Sequence, residues 1–200
     1  MQKLNIILPA HNEYGNINPI YNEIVVALSS CKYDYEILFV DDGSTDDTLS
    51  QIKNLAIADP KVKFIELSRN FGHQNALKAG IDATNADVVI MMDCDLQHPP
   101  YLIIELLKNY ELGYEIVRTH RIDHISTGFL KAKTSNIFYK ILNNLSDIKL
   151  EQGSADFRLV SGSAIAQLKS FNEFDLFYRG LIKWMGYKQI SIEYKAEERY

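Results

Sequence analysis

Three short clusters of acids and amides are the residues of this chain best suited to chemistry. Asp93-Cys94-Asp95 puts two carboxylates two residues apart. Such a pair can share one hard cation, because magnesium and manganese prefer oxygen ligands and keep water or substrate phosphates as the rest of their shell. A cation there would neutralise a diphosphate leaving group. The plainer alternative is an acidic turn facing water, and an Asp-x-Asp pair alone does not decide between them. Gln97, His98 and the stiff Pro99-Pro100 pair follow at once, and an apolar run precedes. A solvated turn needs neither. Asp41-Asp42-Gly43-Ser44 repeats the idea, with carboxylates that can accept from a base N–H or ribose hydroxyls. Asp46 and Asp47 read instead as acids suited to a helix N-terminus. In Pro9-Ala10-His11-Asn12-Glu13, small residues allow close approach of a ligand and Glu13 supplies another acceptor. A simple loop with an Asn cap is the alternative there.

The elements around these clusters alternate. Apolar runs predict strands at Leu4–Leu8, Glu36–Val40, Val62–Leu67, Asp87–Met92 and Glu115–Val117. Helical spacing predicts helices over Ile17–Leu28, from a Thr45 or Asp46 cap to Ala58, over Gly72–Ala83, and from Pro99-Pro100 to Tyr110. Strands separated by single helices imply βαβ units and an α/β fold with a mostly parallel sheet flanked by helices. Ligands of such sheets bind at the carboxyl ends of the strands. Those ends are Pro9–Glu13, Asp41–Ser44, Ser68–Gly72 and Asp93–His98.

The second half is less regular, with a strand over Gly153–Val160, helices from Ser163 and around Leu176–Met185, and a strand at Gln189–Tyr194. Between the halves, Arg118, Arg121, Lys131, Lys133 and Lys140 face a single acid, Asp123. Leu130, Ile137, Phe138, Ile141 and Leu145 form an apolar stripe in the same stretch. A basic amphipathic helix over 118–145 can lie on an anionic membrane surface. It can equally be an ordinary core-packed helix with solvated lysines.

The 200 residues carry a net charge of −5 and are 46% hydrophobic and 24% charged. That is a globular composition, and it is not the basic balance of a nucleic-acid-binding domain. Two cysteines, Cys31 and Cys94, make neither a disulfide framework nor a zinc finger, as expected of a reducing compartment. No apolar run reaches the length of a transmembrane helix. Gly-x-Gly-x-x-Gly and P-loop signatures are missing. Receiver domains and Asp-nucleophile phosphatases also carry paired acids at strand ends, but they leave the second half unexplained.

Leu8–Glu13, Val40–Asp46 and Met92–Pro100 together resemble family 2 glycosyltransferases of the GT-A (Rossmann-like) fold. The Leu96-Gln97-His98-Pro99-Pro100 tail resembles in particular the polyprenyl-phosphate glycosyltransferases, the group of dolichyl-phosphate mannose synthases and bactoprenol glucosyltransferases. Arg69-Asn70-Phe71-Gly72, Ser154-Ala155-Asp156-Phe157-Arg158-Leu159 and Arg179-Gly180-Leu181 agree, so the likeness covers nearly the whole chain.

The resemblance implies one catalytic domain over 1–200, with a nucleotide-sugar half to about 118 and an acceptor half beyond. It implies metal-dependent, inverting transfer from a UDP- or GDP-sugar to a polyprenyl phosphate at the cytoplasmic face of a membrane. A soluble family 2 enzyme acting on a saccharide or cell-wall polymer is the second expectation, and a silent nucleotide-sugar-binding domain a third. A homo-oligomer is compatible with the sequence; a nucleic-acid partner is not expected. Pro9, Ala10, Asn12, Glu13, Asp41, Asp42, Asp93, Cys94 and Asp95 would form the nucleotide-sugar site. Asp95, Gln97 and Asp93 would serve Mg2+ or Mn2+. Asp95 and Asp156 would be catalytic, Asp156 as the candidate base, and Arg121, Arg158 and Arg199 would meet phosphate. Two departures stand out. His11 and the bulky Thr119-His120 replace residues usual in the family. The end, Glu197-Glu198-Arg199-Tyr200, matches only the start of the family's C-terminal basic motif, so a membrane-anchoring region is expected outside this sequence.

Overall fold

The structure, a computed structural model, describes residues 1–121, 154–171 and 177–194. Arg199, the side chain of Arg121 and most of the expected basic helix over 118–145 lie outside them. The first half alternates as β1 (Lys3–Ala10), α1 (Tyr14–Ala27), β2 (Asp34–Asp41), α2 (Thr48–Ala58), β3 (Val62–Glu66), α3 (His73–Ala83), β4 (Val88–Met91), α4 (Leu102–Glu111) and β5 (Ile116–Arg121). The second half supplies β6 (Ser154–Ser161), α5 (Gly162–Lys169), α6 (Tyr178–Trp184) and β7 (Gln189–Tyr194). The strands form one seven-stranded sheet in the order β3-β2-β1-β4-β6-β5-β7.

The expected mostly parallel α/β sheet is present. β1 pairs in parallel with β2 and β4, β2 with β3, and β5 with β7. One strand is reversed, since β6 runs antiparallel to both β4 and β5. The residue pattern of a strand does not state its direction, so the reversal of β6 is not written in its sequence. The reversal matters for the site. Met91 of β4 pairs with Arg158 of β6, so two residues further along, Asp93 lies across from Asp156.

Both faces of the sheet are covered. Ile6, Leu8, Phe39 and Phe157 pack with Ile17, Ile24, Ile52 and Leu106 of α1, α2 and α4. Ile7, Val40, Val89 and Val160 pack with Leu77, Ile165 and Ile182 of α3, α5 and α6. Ile6 and Ile7 serve opposite layers because successive strand side chains point to opposite faces.

Several boundaries differ from the sequence expectation, two of them beside the strand-end loops. β1 continues through Pro9 to Ala10, paired with Val40 and Asp41. Ile7 accepts from the Met92 N–H on the β4 side, and the ladder with β4 ends at that level. The missing Pro9 N–H therefore points past the end of β4 and forfeits no ladder bond. The second helix starts at Thr48, whose N–H donates 3.0 Å to Asp46 Oδ1. Asp46 is thus the helix-start acid expected, and α2, with Asp47 as its cap residue, begins one or two residues later than a Thr45 or Asp46 cap implies.

Candidate active site

The carboxyl ends of β1, β2, β3 and β4 share one edge of the sheet, and the loops there are tied together by the polar residues themselves. Asn12, with φ of 57°, takes a backbone conformation that asparagine tolerates. Its Oδ1 accepts the Thr45 N–H at 2.8 Å, and its own N–H donates to Ser44 Oγ at 3.0 Å. His11 Nδ1–H donates to the Asp42 carbonyl at 2.9 Å, which leaves Nε2 as the acceptor for Asn12 Nδ2 at 3.3 Å. Glu13 receives Asn16 Nδ2 and is half-buried at the start of α1.

Asp42 holds the β3–α3 loop. Its Oδ1 accepts the Phe71 N–H at 2.7 Å and its Oδ2 the Gly72 N–H at 2.9 Å. Gly43 lies beneath with φ of 63°, and a Cβ there would come 2.3 Å from the Arg69 carbonyl carbon. Only glycine fits a site that is both left-handed and this crowded. Asn12 and Asp42, expected to contact the nucleotide, are tied by these bonds to the neighbouring loops, and Asp42 also lines the pocket between them. Asp41 differs: it is buried, its Oδ2 accepts the Ser44 N–H at 3.2 Å, and its Oδ1 has no hydrogen-bond partner among the described residues. Such a buried acceptor is unusual enough to call for a ligand donor.

The turn after β4 is built on Asp95. Its Oδ1 accepts the Gln97 N–H at 3.1 Å, and Leu96 between them has φ of 60°. A left-handed leucine is a strained choice of the kind that clusters at functional sites. The Asp93 N–H donates to His98 Nδ1 at 3.1 Å, so a neutral His98 carries its proton on Nε2. Its Nδ1 is therefore already occupied as an acceptor, although Asp93 Oδ2 lies only 3.6 Å away. The His98 ring stacks on Phe157 at 5.4 Å and meets Tyr194 edge-on. Cys94, expected at the same site, borders the pocket with its side chain packed into the core, where burial pushes the thiol well up.

A pocket of about 310 Å³ opens among these loops, with Pro9, Ala10, Glu13, His73, Asp93 and Asp95 in its wall. Burial raises the Asp93 carboxyl above its ordinary range, against the pull of His98 and His73, with Asp156 and Asp95 adding to the rise. A carboxylate raised in this way gains most from a cation beside it. Among the described residues no three His, Cys, Asp or Glu side chains are arranged to hold a metal ion by themselves. The donors present suit a hard cation whose remaining ligands come from a diphosphate and water.

Beyond the pocket lies a charged cluster that only the fold assembles. His73, the first residue of α3, brings Nε2 to 3.5 Å from Asp93 Oδ1 and 3.9 Å from Asp156 Oδ2. Asp156 Oδ1 accepts from Arg158 Nη2 and, at 3.0 Å, from Arg179 Nε. Its Oδ2 accepts from Arg179 Nη2 at 2.6 Å. Burial raises the Asp156 carboxyl, but the Arg179 hydrogen bonds and the charges of Arg158 and Arg179 outweigh it and hold the group below its ordinary value. Burial lowers Arg158 to about 10, opposed by Asp156. The Arg158 side chain, expected to meet an acceptor phosphate, is 1% exposed and backs Asp156 from inside. His73 and Arg179 carried no individual role in the sequence reading. Arg179 stood in a resembling motif without chemistry attached, and His73 had no signal beyond its place after Gly72.

A family model described as "Glycosyl transferase family 2" matches residues 5–169. The uncharacterized glycosyltransferase YkcC of Bacillus subtilis is 37% identical over 195 residues, covering 98% of this chain and 60% of that protein. The bactoprenol glucosyl transferase of Shigella phage SfX is 39% identical over 198 residues, covering 98% of this chain and 65% of that protein. The chain thus spans about three-fifths of the length of the curated relatives it matches. Among solved structures, the mannosyltransferase PcManGT of Pyrobaculum calidifontis, in complex with GDP-Man and Mn2+, superposes with a TM-score of 0.68. It is 17% identical, and the match covers 99% of this chain and 57% of that one. The fold is that of GT-A glycosyltransferases.

Proposed function

The chain belongs to glycosyl transferase family 2, and from that premise we propose that it moves a sugar from a nucleotide-sugar donor to a polyprenyl phosphate. The observation that carries the proposal is the contact at His73. An acidic, donor-sized pocket meets a buried carboxylate ringed by two arginines within 4 Å. A sugar held in the pocket has its reacting carbon near a place built for an anion. The bactoprenol glucosyl transferases among the relatives support a lipid-phosphate acceptor.

Residues 1–118 handle the donor in this proposal. Asp41 accepts from the base or ribose, Pro9 and Ala10 admit it closely, and Asp93 and Asp95 face the diphosphate and sugar. When bound, Mg2+ or Mn2+ stabilises charge developing on the departing diphosphate; Asp95, with Asp93, would hold it, and Gln97 lies beside them. An acceptor phosphate oxygen attacks the anomeric carbon from the side opposite the diphosphate, so the configuration inverts. The C–O bond to the diphosphate breaks with its electron pair. The basic segment over 118–145, with Arg121, and the terminal Arg199 are proposed to meet the membrane surface and the acceptor, at the cytoplasmic face.

The test is a donor and acceptor matrix. UDP-glucose, UDP-N-acetylglucosamine and GDP-mannose are each offered with Mn2+, Mg2+ or EDTA. Polyprenyl phosphate, the parent polyprenol and a soluble saccharide serve as acceptors. Metal-dependent label in the lipid phase with the phosphate alone is the expected result. Label on the saccharide with none in lipid would contradict it.

A further inference from the structure

Resting on a phosphate acceptor, we infer that Arg179 is the side chain that meets that phosphate, and that Asp156 is its anchor and not a proton acceptor. Asp156 grips Arg179 through both oxygens, at 3.0 and 2.6 Å. This is the fork geometry that fixes a guanidinium plane. Arg158 completes the carboxylate from the buried side. A general base needs an oxygen that can reach the proton and a proton affinity matched to the working pH. Asp156 has both oxygens held by guanidinium donors.

The exposures point the same way. Arg158 is sealed inside at 1% exposure, whereas the Arg179 side chain is 37% exposed. Of the two guanidinium groups on Asp156, Arg179 is therefore the one an acceptor can reach. The proton balance of the transfer agrees. A phosphate monoester, with a second pKa near about 6, is largely dianionic at neutral pH. Its oxygen forms the new bond to the anomeric carbon and the acceptor becomes a monoanionic diester. The donor dianion departs as a nucleoside diphosphate trianion. Charge is conserved and no proton is released, so a base at Asp156 would have nothing to accept.

Binding and turnover read this directly. The chain is titrated with farnesyl phosphate and with farnesol, in the presence of Mn2+ and whichever of UDP and GDP stabilises it more. The wild type is expected to favour the phosphate. Arg179→Ala should weaken farnesyl phosphate by about tenfold or more, the loss expected for a charged hydrogen bond, and leave nucleotide binding unchanged. Arg179→Lys should recover part of it, since lysine restores the charge without the fork. Asp156→Asn should raise the acceptor KM as Arg179→Ala does, and the double variant should be no worse than the worse single. Wild-type affinity for farnesyl phosphate in Arg179→Ala would overturn the inference. So would Asp156→Asn losing kcat with acceptor KM unchanged. If Asp156→Asn does not fold, the Arg179 variants, altered at the surface, carry the test. Absence of sugar transfer by the wild type, with phosphate-selective binding intact, would contradict the proposed function while leaving Arg179 in place. Transfer with Arg179→Ala unaffected would overturn Arg179 alone.

Discussion

At the residue scale, the acids at the strand ends divide into scaffold and site. Asp42 is scaffold, because both of its oxygens take backbone N–H groups of the β3–α3 loop. Asp41, whose Oδ1 lacks a partner among the described residues, is proposed to meet the nucleotide. Asp41→Asn is expected to weaken nucleotide binding with little change in melting temperature. Asp42→Ala should lower both, since the loop loses two buried bonds worth about 1 kcal/mol or more each. Calorimetry and thermal unfolding separate the two effects. Asp95→Ala should abolish metal-dependent turnover. Asp156 titrates in the opposite sense to Asp93. Its folded pKa lies below the ordinary value, so the stability it contributes is present above the unfolded carboxyl pKa and fades as pH falls through the folded one. Asp156→Ala removes that acid-side contribution and strands the Arg158 cation in the core. The expected loss is about 3–5 kcal/mol at neutral pH, read by urea unfolding at pH 7 and again near pH 3, where the gap to wild type should narrow.

At the scale of elements, the sequence was legible where one strand end carries its own chemistry. Asp93-Cys94-Asp95 after an apolar strand, and Asp41-Asp42 before Gly43, mark loops whose neighbours are set by the parallel βαβ rule. Hence the strand-end loops that line the pocket could be named from the pattern, while their assignment to a sugar donor came from the resemblance. The charged cluster could not. Asp156 comes across from Asp93 only because β6 runs backwards, and the residue pattern of a strand such as Ser154–Ser161 does not state its direction. His73 and Arg179 come to it from two helices far apart in the chain. The loop bonds of Asn12 and Asp42 were not legible for a related reason: an amide or carboxylate beside a glycine turn looks alike whether it binds a ligand or the neighbouring loop. Gly43 is the check on that loop packing. Gly43→Ala combines positive φ with a clash on the Arg69 backbone and should destabilise by about 2–3 kcal/mol. That is a fall in melting temperature on the order of 4–12 °C for a chain of this size.

At the scale of the whole molecule, acids and bases are sorted in space. Asp41, Asp93 and Asp95 line one end of the sheet, and arginines gather beside them on β5, β6 and α6. The basic residues of 118–145 extend that second zone in sequence. No described helix is long and apolar enough to cross a membrane. Flotation on vesicles containing anionic lipid should capture the chain and release it as salt shortens the screening length from about 10 Å at 0.1 M to about 3 Å at 1 M. The most direct test of the account is the product itself. The chain is incubated with undecaprenyl phosphate, Mn2+ and the donor that binds most tightly, and the lipid is analysed by mass spectrometry and NMR. The account predicts a glycosyl phosphodiester of undecaprenol whose anomeric configuration is opposite to that of the donor, with none formed in EDTA. Sugar recovered only as free sugar or on a soluble saccharide, with the lipid phosphate unchanged, would contradict it.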